Sequence, residues 1–467
     1  MMDAWTQKVS QRAGSWRPAK LICPLQIGFP VLNVEEVSPN EIKVTQNRYL
    51  SSGDVRPEED ETIWTVPLEL KIIDSEGHVK IDHSAVLSTR DAVFRIDDVA
   101  NKTYKLNGET AGVYRVAYSS ERMSKLGDEA SQEKSAFSVN DRMGLVQDAA
   151  TLAMSGLRSS ADALTLLSKV GAVEKENLVC SEIADALAQL HSVWWEEPEP
   201  VRAGINRLRQ AIFSPIAKRL TFKYDEDESP EVTELRTLAI STAAAAGDQR
   251  ILTEFKQRFN RFLSANDESQ IPSDLRASIY TQSVKHGGEA EYLKVLETVS
   301  AHKPDPASPS RSRSHIPVQY RKPATPSHRL AAISALCSTQ DKALLKRTFE
   351  FTTSSEVKPQ DLMYFLASLT RNTVARRDVW TFMKSQWDHI SRAFKGNFSI
   401  GSLVKSSFAS LTTLEDAQDV EKFFSGRDTS MYEKPLKQGL DAVRVRAAWL
   451  SRDKTVVQQW LESNGYM

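Results

Sequence analysis

The hydrophobic pattern of this chain changes its period once, at about Phe137, and keeps the new period to the C-terminus. Before that residue apolar and polar side chains alternate, as in "IWTVPLELKII" (63–73), where every even position is apolar. A period of two is typical of a strand with one buried face. Later segments repeat apolar residues every three to four positions, as amphipathic helices do. The chain is therefore predicted to contain a β region followed by a much longer helical region.

The β region is predicted to be a small β-sandwich over residues 29–119. Several short alternating segments supply its candidate strands, among them "EIKVTQNRYL" (41–50), "AVFRI" (92–96) and "GVYRVAYS" (112–119). In the last of these, Tyr114, Val116 and Tyr118 share one face. Clusters of Gly, Asn, Asp and Ser separate the segments as turn signals. Short strands with such turns are typical of a sandwich.

The helical region, residues 120–467, is predicted to fold as an irregular α-superhelix of HEAT- or armadillo-like helix pairs. Ser138 and Asp141 have the spacing of a capping box at the start of a helix. Roughly sixteen helical segments are expected, joined by short turns. Helices of ordinary length that each bury one apolar stripe can do so by stacking in pairs. The fold class is therefore mostly α.

Two stretches fit neither period. The first lies within residues 1–28, where residues 10–27 separate "WTQKV" from the strand-like "GFPVLNVEE". The second, at about 303–328, reads "KPDPASPSRSRSHIPVQYRKPATPSH". Its arginines could form a small basic motif for nucleic acid or for kinase docking. Its many prolines and serines favour a disordered loop.

Composition excludes several classes of protein. The formal net charge is -1, which argues against a general electrostatic footprint for nucleic acid. No apolar run approaches the roughly 20 residues that span a bilayer, so no membrane association is expected. Three cysteines lie far apart, which favours reduced thiols in the cytoplasm over a disulfide framework. Cys180 and Cys337 lie among apolar helix positions and are expected to be core thiols.

The sequence has no motif that predicts catalysis. None of the eight histidines is followed by another at i+4, as H-E-x-x-H would require, and nucleotide-binding and nucleophile motifs are absent from the sequence. His78 and His83 bracket a hairpin-like stretch, but ordinary surface histidines explain them more simply than a metal site. From its residues alone, the chain is predicted to be a scaffold without an active site.

Several phrases, in order along the chain, nevertheless resemble one family. They include "GFPVLNVEE", "IWTVPLELK", "GVYRVAYS", "NDRMGLVQDAATLAMSG" and "RNTVARRDVWTFMKSQW". They are similar to the gluzincin zinc aminopeptidases of the puromycin-sensitive and fungal cytosolic type, and in particular to an endoplasmic-reticulum-aminopeptidase-like C-terminal domain. The resemblance covers the chain except residues 10–27 and about 304–327.

The resemblance implies a β-sandwich and a helical superhelix, preceded in the family by a β-saddle and a zinc domain. Zinc and its H-E-x-x-H ligands would then belong to the full-length protein, and neither catalytic nor metal-binding residues can be assigned to this sequence. Residues 10–27 and 304–327 are interpreted as insertions, the products of translated introns, and the true start is expected upstream. Phe29, Val31 and Leu32 are then expected to be exposed where the zinc domain would pack.

The function implied by the resemblance is that of a non-catalytic C-terminal portion of a zinc aminopeptidase. It would cap the active site and form the chamber that receives peptides, in partnership with a catalytic half. A stand-alone peptide-binding or scaffolding protein is the alternative, and an unrelated HEAT-type adaptor ranks last. Arg371, Arg376 and Arg377 are candidate ligands for a peptide carboxylate; the simpler interpretation is that they are surface residues pairing with Asp378 or solvent.

Overall fold

The computed structural model describes residues 28–225, 227–265, 267–297, 325–354, 357 and 359–467. In these ranges, short strands come first and helices follow, so the prediction of a mostly α chain preceded by small sheets is confirmed. Residues 10–27, and residues 303–324 of the predicted loop, lie outside the described residues. Within those ranges, no helix is both long enough and apolar enough to span a membrane.

The β region contains three small sheets among the described residues. The strands are β1 (Pro30–Ser38), β2 (Glu41–Arg48), β3 (Val66–Pro67), β4 (Leu70–Ile73), β5 (Val79–Asp82), β6 (Val86–Leu87), β7 (Asp91–Arg95), β8 (Thr103–Lys105) and β9 (Arg115–Ala117). The sheet orders are β7-β2-β1-β9, β3-β6 and β5-β4-β8. Strand β1 is antiparallel to β2 and parallel to β9.

Seventeen α-helices lie in the described part of the chain, close to the number expected. The first nine are α1 (Ser120–Ala130), α2 (Val139–Met154), α3 (Ser160–Val173), α4 (Asn177–Val193), α5 (Glu199–Leu220), α6 (Pro230–Ala245), α7 (Gln249–Ala265), α8 (Arg276–His286) and α9 (Glu289–Glu297). The others are α10 (Pro326–Leu336), α11 (Lys342–Thr352), α12 (Pro359–Arg371), α13 (Arg376–Ser385), α14 (Trp387–Ala393), α15 (Ser399–Phe408), α16 (Leu414–Phe424) and α17 (Glu433–Ser463).

Helix starts follow local side-chain chemistry. The predicted capping box is confirmed at α2, because Ser138 Oγ accepts from the Asp141 N–H while Asp141 Oδ2 accepts from the Ser138 N–H. Helix α10 begins at Pro326 with Thr325 as its N-cap. The sequence prediction extended the preceding loop to His328, but proline at the first helical position and a capping threonine begin the helix earlier.

The expectation of one alternating strand over residues 63–73 is wrong. The segment forms two strands in different sheets, and Glu69 between them has φ +43°. Before Glu69 the even positions are buried as expected; after it, Lys71 is buried with only 3% of its surface exposed. Lys71 Nζ contacts the Asp141 carboxylate at 2.5 Å. After Glu69 the odd positions Lys71 and Ile73 are thus buried together with Leu70, so simple alternation ends there.

The expectation that Val31 and Leu32 are exposed is also wrong, since both are buried. Val31 packs with Ala117 and Leu152 in an apolar cluster. Phe29 is half-buried and its ring stacks on that of Tyr49, with centroids 5.1 Å apart. The side chains of β1 therefore pack against β9 and α2 of this same chain, and Tyr114, Val116 and Tyr118 are buried as predicted.

The chain divides into two compact units. The first holds the described residues up to Gln189, with Ser229–Leu235 and Ala448–Met467. Within it, the C-terminal segment is fastened to α3, because Trp449 Nε1 donates to Ser160 Oγ at 2.9 Å and Ser160 Oγ donates to Asp453 at 2.5 Å.

The second unit comprises Leu190–Glu228 and Arg236–Ala447. Its main core is a cluster of buried apolar side chains between Ile333 and Val443, built around the indole of Trp380. Cys337 belongs to this cluster, and Cys180 is buried as well, so both thiols occupy core positions as predicted.

Candidate functional site

Arg376 is the first residue of α13 and is buried, with 4% of its surface exposed. Its Nε donates to the Thr370 carbonyl and its Nη1 to the Ser192 carbonyl, both at 2.8 Å. Its guanidinium lies 4.7 Å from the ring centroid of Trp195. Burial, with a smaller effect of the nearby Arg446, lowers the Arg376 pKa to about 10. This arginine makes no carboxylate contact among the residues that the structure describes.

Arg377 lies beside Arg376 over the same indole, 5.5 Å from the Trp195 centroid, but its charge is paired. Its Nε and Nη2 donate to both carboxylate oxygens of Glu196 at 2.6 Å, and its Nη1 donates to Asp416 at 2.8 Å. These hydrogen bonds, that to Glu196 foremost, raise the pKa of Arg377. Its partners thus lie far away in sequence, on the turn after α4 and at the start of α16.

Arg371 is exposed at the end of α12. The structure therefore brings Arg376 and Arg377 together on one indole, with one guanidinium unpaired and the other enclosed by carboxylates. The role of the three arginines in binding a peptide carboxylate stays a prediction.

The unpaired Arg376 has other basic neighbours in the second unit. We define the cationic cluster as six basic side chains that are linked in pairs by electrostatic effects, of four of them on His191, of Arg209 on Lys285 and of Arg446 on Arg376: His191, Arg202, Arg209, Lys285, Arg376 and Arg446. They come from α4, α5, α8, α13 and α17. None has an Asp or Glu oxygen within 4 Å in the described ranges. The buried Arg209 Nε, the Arg202 Nε and the Arg446 Nη1 also lack hydrogen-bond partners there.

The electrostatics of the cluster follow from burial among like charges. Burial lowers the pKa of Arg209 to about 10. Burial, reinforced by the charge of Arg209, lowers the pKa of Lys285. Burial, followed by the charges of Arg209 and Lys285, lowers the His191 pKa to about 3. At neutral pH His191 is therefore uncharged, while the charges of Arg209, Lys285, Arg376 and Arg202 act on it.

A separate pocket of about 500 Å³ lies between α11 and α13. Its floor is apolar, with the rings of Phe349 and Phe382 at a centroid distance of 5.1 Å. Lys342, Lys346, Glu350 and Asp378 supply charges of both signs to its lining. The pocket therefore combines an apolar floor with charged groups of both signs at its lining.

No metal site can be assigned to the described residues, since they bring no three His, Cys, Asp or Glu side chains together in a suitable group. His78 Nδ1 lies 3.2 Å from Asp74, and His83 Nδ1 lies 2.5 Å from Glu69. These histidines contact carboxylates on the surface of the β region. The ligands that zinc needs are thus not provided by the described part of this chain.

Sequence reasoning missed most of the cationic cluster. Its signal is visible at Arg209, which interrupts the apolar stripe of α5 between Ile205 and Ile212. A lone arginine on a buried helix face needs a partner. The sequence does not indicate which residues lie near Arg209, because the cluster combines side chains from five helices that are far apart along the chain.

Comparison with known proteins gives consistent matches. Residues 103–445 match the family described as "ERAP1-like C-terminal domain". "Aminopeptidase 2" of Candida albicans is 31% identical over 442 residues, covering 94% of this chain and 44% of the relative. "Aminopeptidase 2, mitochondrial" of Saccharomyces cerevisiae is 28% identical over 465 residues, covering 99% of this chain and 45% of the relative. The chain spans somewhat less than half the length of these relatives.

Proposed function

Because this chain belongs to the family of ERAP1-like C-terminal domains, we propose that it is the non-catalytic C-terminal portion of a zinc-dependent aminopeptidase that removes N-terminal amino acids from peptides. One observation carries the proposal: nearly the whole chain aligns with somewhat less than half of each aminopeptidase relative. The remaining half of such an enzyme would supply the zinc ligands and the general base.

In this proposal the chain caps the active site and contributes to the chamber that receives peptides. Two features of the second unit support it. The pocket between α11 and α13 suits an extended chain, and the cationic cluster suits an anionic group. The chain's own task would be to bind and to limit substrates, while the chemical step takes place elsewhere.

Complementation tests the proposal. The chain is co-expressed with the part of the Candida albicans relative that this chain does not match, and hydrolysis of a fluorogenic aminoacyl substrate is measured. We expect little activity from either part alone and chelator-sensitive activity from the two together. One tightly bound zinc per molecule of this chain alone, with activity, would contradict the proposal.

A stand-alone peptide-binding or scaffolding protein is the second candidate, and the pocket between α11 and α13 favours it equally. The same experiment separates the two. Peptide binding by this chain, without complementation of any catalytic partner, would support the scaffold and overturn the aminopeptidase portion.

The predicted roles of Arg371, Arg376 and Arg377 belong to this proposal. Arg376 is supported by its unpaired charge, whereas the fork of Arg377 already contacts Glu196 and Asp416. Replacing all three by alanine should abolish any preference for a free-acid peptide over its amide. Retention of that preference would show that the three arginines do not bind the peptide carboxylate.

We propose that the chain acts in the cytoplasm. The two buried free thiols, Cys180 and Cys337, support a reducing compartment. A fluorescent fusion expressed in yeast tests this assignment, and retention in an oxidising compartment would contradict it.

A further inference from the structure

We propose that Asn464 is a site of spontaneous covalent modification, at which the side-chain amide is lost and isoaspartate enters the main chain. The reaction requires only the next residue, Gly465, and water as the co-reactant. The inference goes beyond the proposed function and does not rest on it, because it depends on local chemistry at the end of α17.

The chemistry is a property of asparagine followed by glycine. The main-chain nitrogen of the glycine attacks Cγ of the asparagine and gives up its proton, a cyclic succinimide forms, and ammonia leaves. Water then adds to one of the two ring carbonyls and opens the ring. One opening gives ordinary aspartate, and the other gives isoaspartate, in which the main chain passes through Cβ and Cγ. Glycine favours the attack because no Cβ shields its nitrogen.

Two Asn-Gly pairs occur in the sequence, at Asn107 and at Asn464, and the fold protects the first. Only 4% of Asn107 is exposed, its Oδ1 accepts from the Gly112 N–H at 2.7 Å, and its Nδ2 donates to the Gly112 carbonyl at 3.2 Å. The nitrogen that would attack, that of Gly108, donates to the Glu69 carbonyl at 2.9 Å. Asn107 can therefore react only when this loop opens.

Asn464 lies in a different environment. It is exposed, and in the described ranges its side chain has one hydrogen bond, from Nδ2 to the Trp460 carbonyl at 2.8 Å. Gly465 has φ +75°, and its N–H donates to the Glu462 carbonyl at 3.2 Å, as in a helix C-cap. Helix ends fray, so these bonds open at a small cost in free energy. Cγ of Asn464 can thus approach the Gly465 nitrogen and is open to water.

The modification should weaken the contact between the end of α17 and α3. The ring of Tyr466 stacks on that of Trp460, with centroids 5.7 Å apart, and Trp460 Nε1 donates to Thr165 Oγ1 of α3 at 2.9 Å. Isoaspartate lengthens the main chain shortly before Tyr466, which shifts this ring from its stacking position. A new carboxylate at the negative end of the helix dipole is also unfavourable.

Ageing of the full chain tests the inference. The purified chain is kept at mildly alkaline pH and digested at acidic pH. Mass spectrometry with electron-transfer fragmentation then distinguishes isoaspartate from aspartate at each Asn-Gly pair. We expect Asn464 to be converted about 10-fold or more faster than Asn107, because Asn107 reacts only in an open state. In urea the two pairs should react at rates within about 3-fold of each other.

The variant Asn464→Gln is the control for the structural consequence, since glutamine keeps the amide but reacts far more slowly through a larger ring. Hydrogen exchange measured by mass spectrometry compares fresh and aged samples of both chains. Exchange around Trp460 should become about 3-fold or more faster in the aged unmutated chain and stay the same in the aged variant. Asn464→Asp, which adds the charge without lengthening the main chain, should show a smaller increase.

Each outcome decides one point. Faster conversion of Asn464 than of Asn107 in the folded chain, with the difference lost in urea, supports the inference. Equal conversion of the two pairs in the folded chain, or aspartate without isoaspartate at position 464, overturns it. Unchanged exchange around Trp460 after conversion would show that the end of α17 does not depend on Asn464.

Discussion

Lys71 Nζ donates a hydrogen bond of 2.5 Å to the carboxylate of Asp141, 70 residues later in the sequence. The same carboxylate lies 3.1 Å from Lys105 Nζ and also caps α2. Burial raises the pKa of Asp141, but Lys105 and Lys71 outweigh burial and hold that pKa below its ordinary value. One acid therefore neutralises two strand lysines and joins the β region to the first long helix.

The first prediction concerns this acid. Asp141→Asn should lower the free energy of unfolding by about 3 kcal/mol at pH 7, because it removes the carboxylate paired with the buried Lys105 and leaves the buried Lys71 with Glu109 alone. Asp416→Asn is the control, since Asp416 also forms a capping box but pairs with the exposed Arg377. Urea denaturation should show a clearly smaller loss of unfolding free energy for the control. Equal losses would indicate that Asp141 stabilises the chain only through the capping box.

The pH dependence of the same variant is the second prediction. The lowered pKa of Asp141 means that its contribution is complete above the ordinary carboxyl pKa and is lost as pH falls through the folded-state value. Stability of the unmutated chain should therefore fall towards that of Asp141→Asn on acidification. Thermal melts between pH 7 and pH 3 measure this convergence, and a constant gap would contradict it.

The third prediction is acid sensitivity from His191. Its folded-state pKa of about 3 lies below the ordinary value, so protonation favours the unfolded chain. Stability should fall as pH decreases through the ordinary histidine range towards the folded value, by at most about 1.4 kcal/mol per pH unit. His191→Gln should remove this slope, whereas His389→Gln, at an exposed position, should retain it.

The fourth prediction is that two arginine substitutions change the stability of the chain in opposite directions. Arg209→Met should stabilise the ligand-free chain by about 1 kcal/mol or more, since an apolar side chain replaces an unpaired buried charge. Arg236→Met should destabilise it by about 3 kcal/mol, because the buried ion pair between Arg236 and Glu228 would be broken. Denaturant titration of both variants compares them directly. Destabilisation by Arg209→Met would indicate a counter-charge for Arg209 within the chain.

The fifth prediction concerns a close backbone contact in the first unit. A Cβ at Gly53 would lie 1.8 Å from the Ser155 carbonyl oxygen, and Gly53 has φ +71°. Gly77 has φ +83° but no atom near its Cβ position. Gly77→Ala should cost about 1 kcal/mol from the backbone alone, and Gly53→Ala at least twice as much. Similar decreases in melting temperature for the two variants would show that the loop around Gly53 can move to accommodate the added methyl group.

Most of the fold could be predicted from local pattern. The helical stripes, the capping box at Ser138 and the shared face of Tyr114, Val116 and Tyr118 all depend on residues close in sequence. The break at Glu69 could not be predicted. Its positive φ is accompanied by backbone hydrogen bonds from a loop distant in sequence. In that loop, the Asn107 N–H donates to the Leu68 carbonyl and the Gly108 N–H donates to the Glu69 carbonyl.

The candidate site was less accessible to sequence reasoning. The three predicted arginines are neighbours along one helix junction, and the adjacent Asp378 is the partner that their sequence positions indicate. The structure pairs Arg377 with Glu196, 181 residues away, and places Arg376 among cations from other helices. Which charges are neutralised depends on tertiary contacts, and these have no local sequence signal.

The positive φ of Glu69 constrains the number of residues that can connect β3 to β4. Strand β3 pairs with β6 and β4 pairs with β5 and β8, so the alternation between inward and outward positions restarts between them. One added residue between Pro67 and Leu70 would turn the next position of β4 towards the core and move Lys71 outwards. Asp141 would then keep only Lys105 as a buried counter-ion. An insertion or deletion in this short connection should thus cost the buried ion pair between Lys71 and Asp141 as well as the local loop geometry.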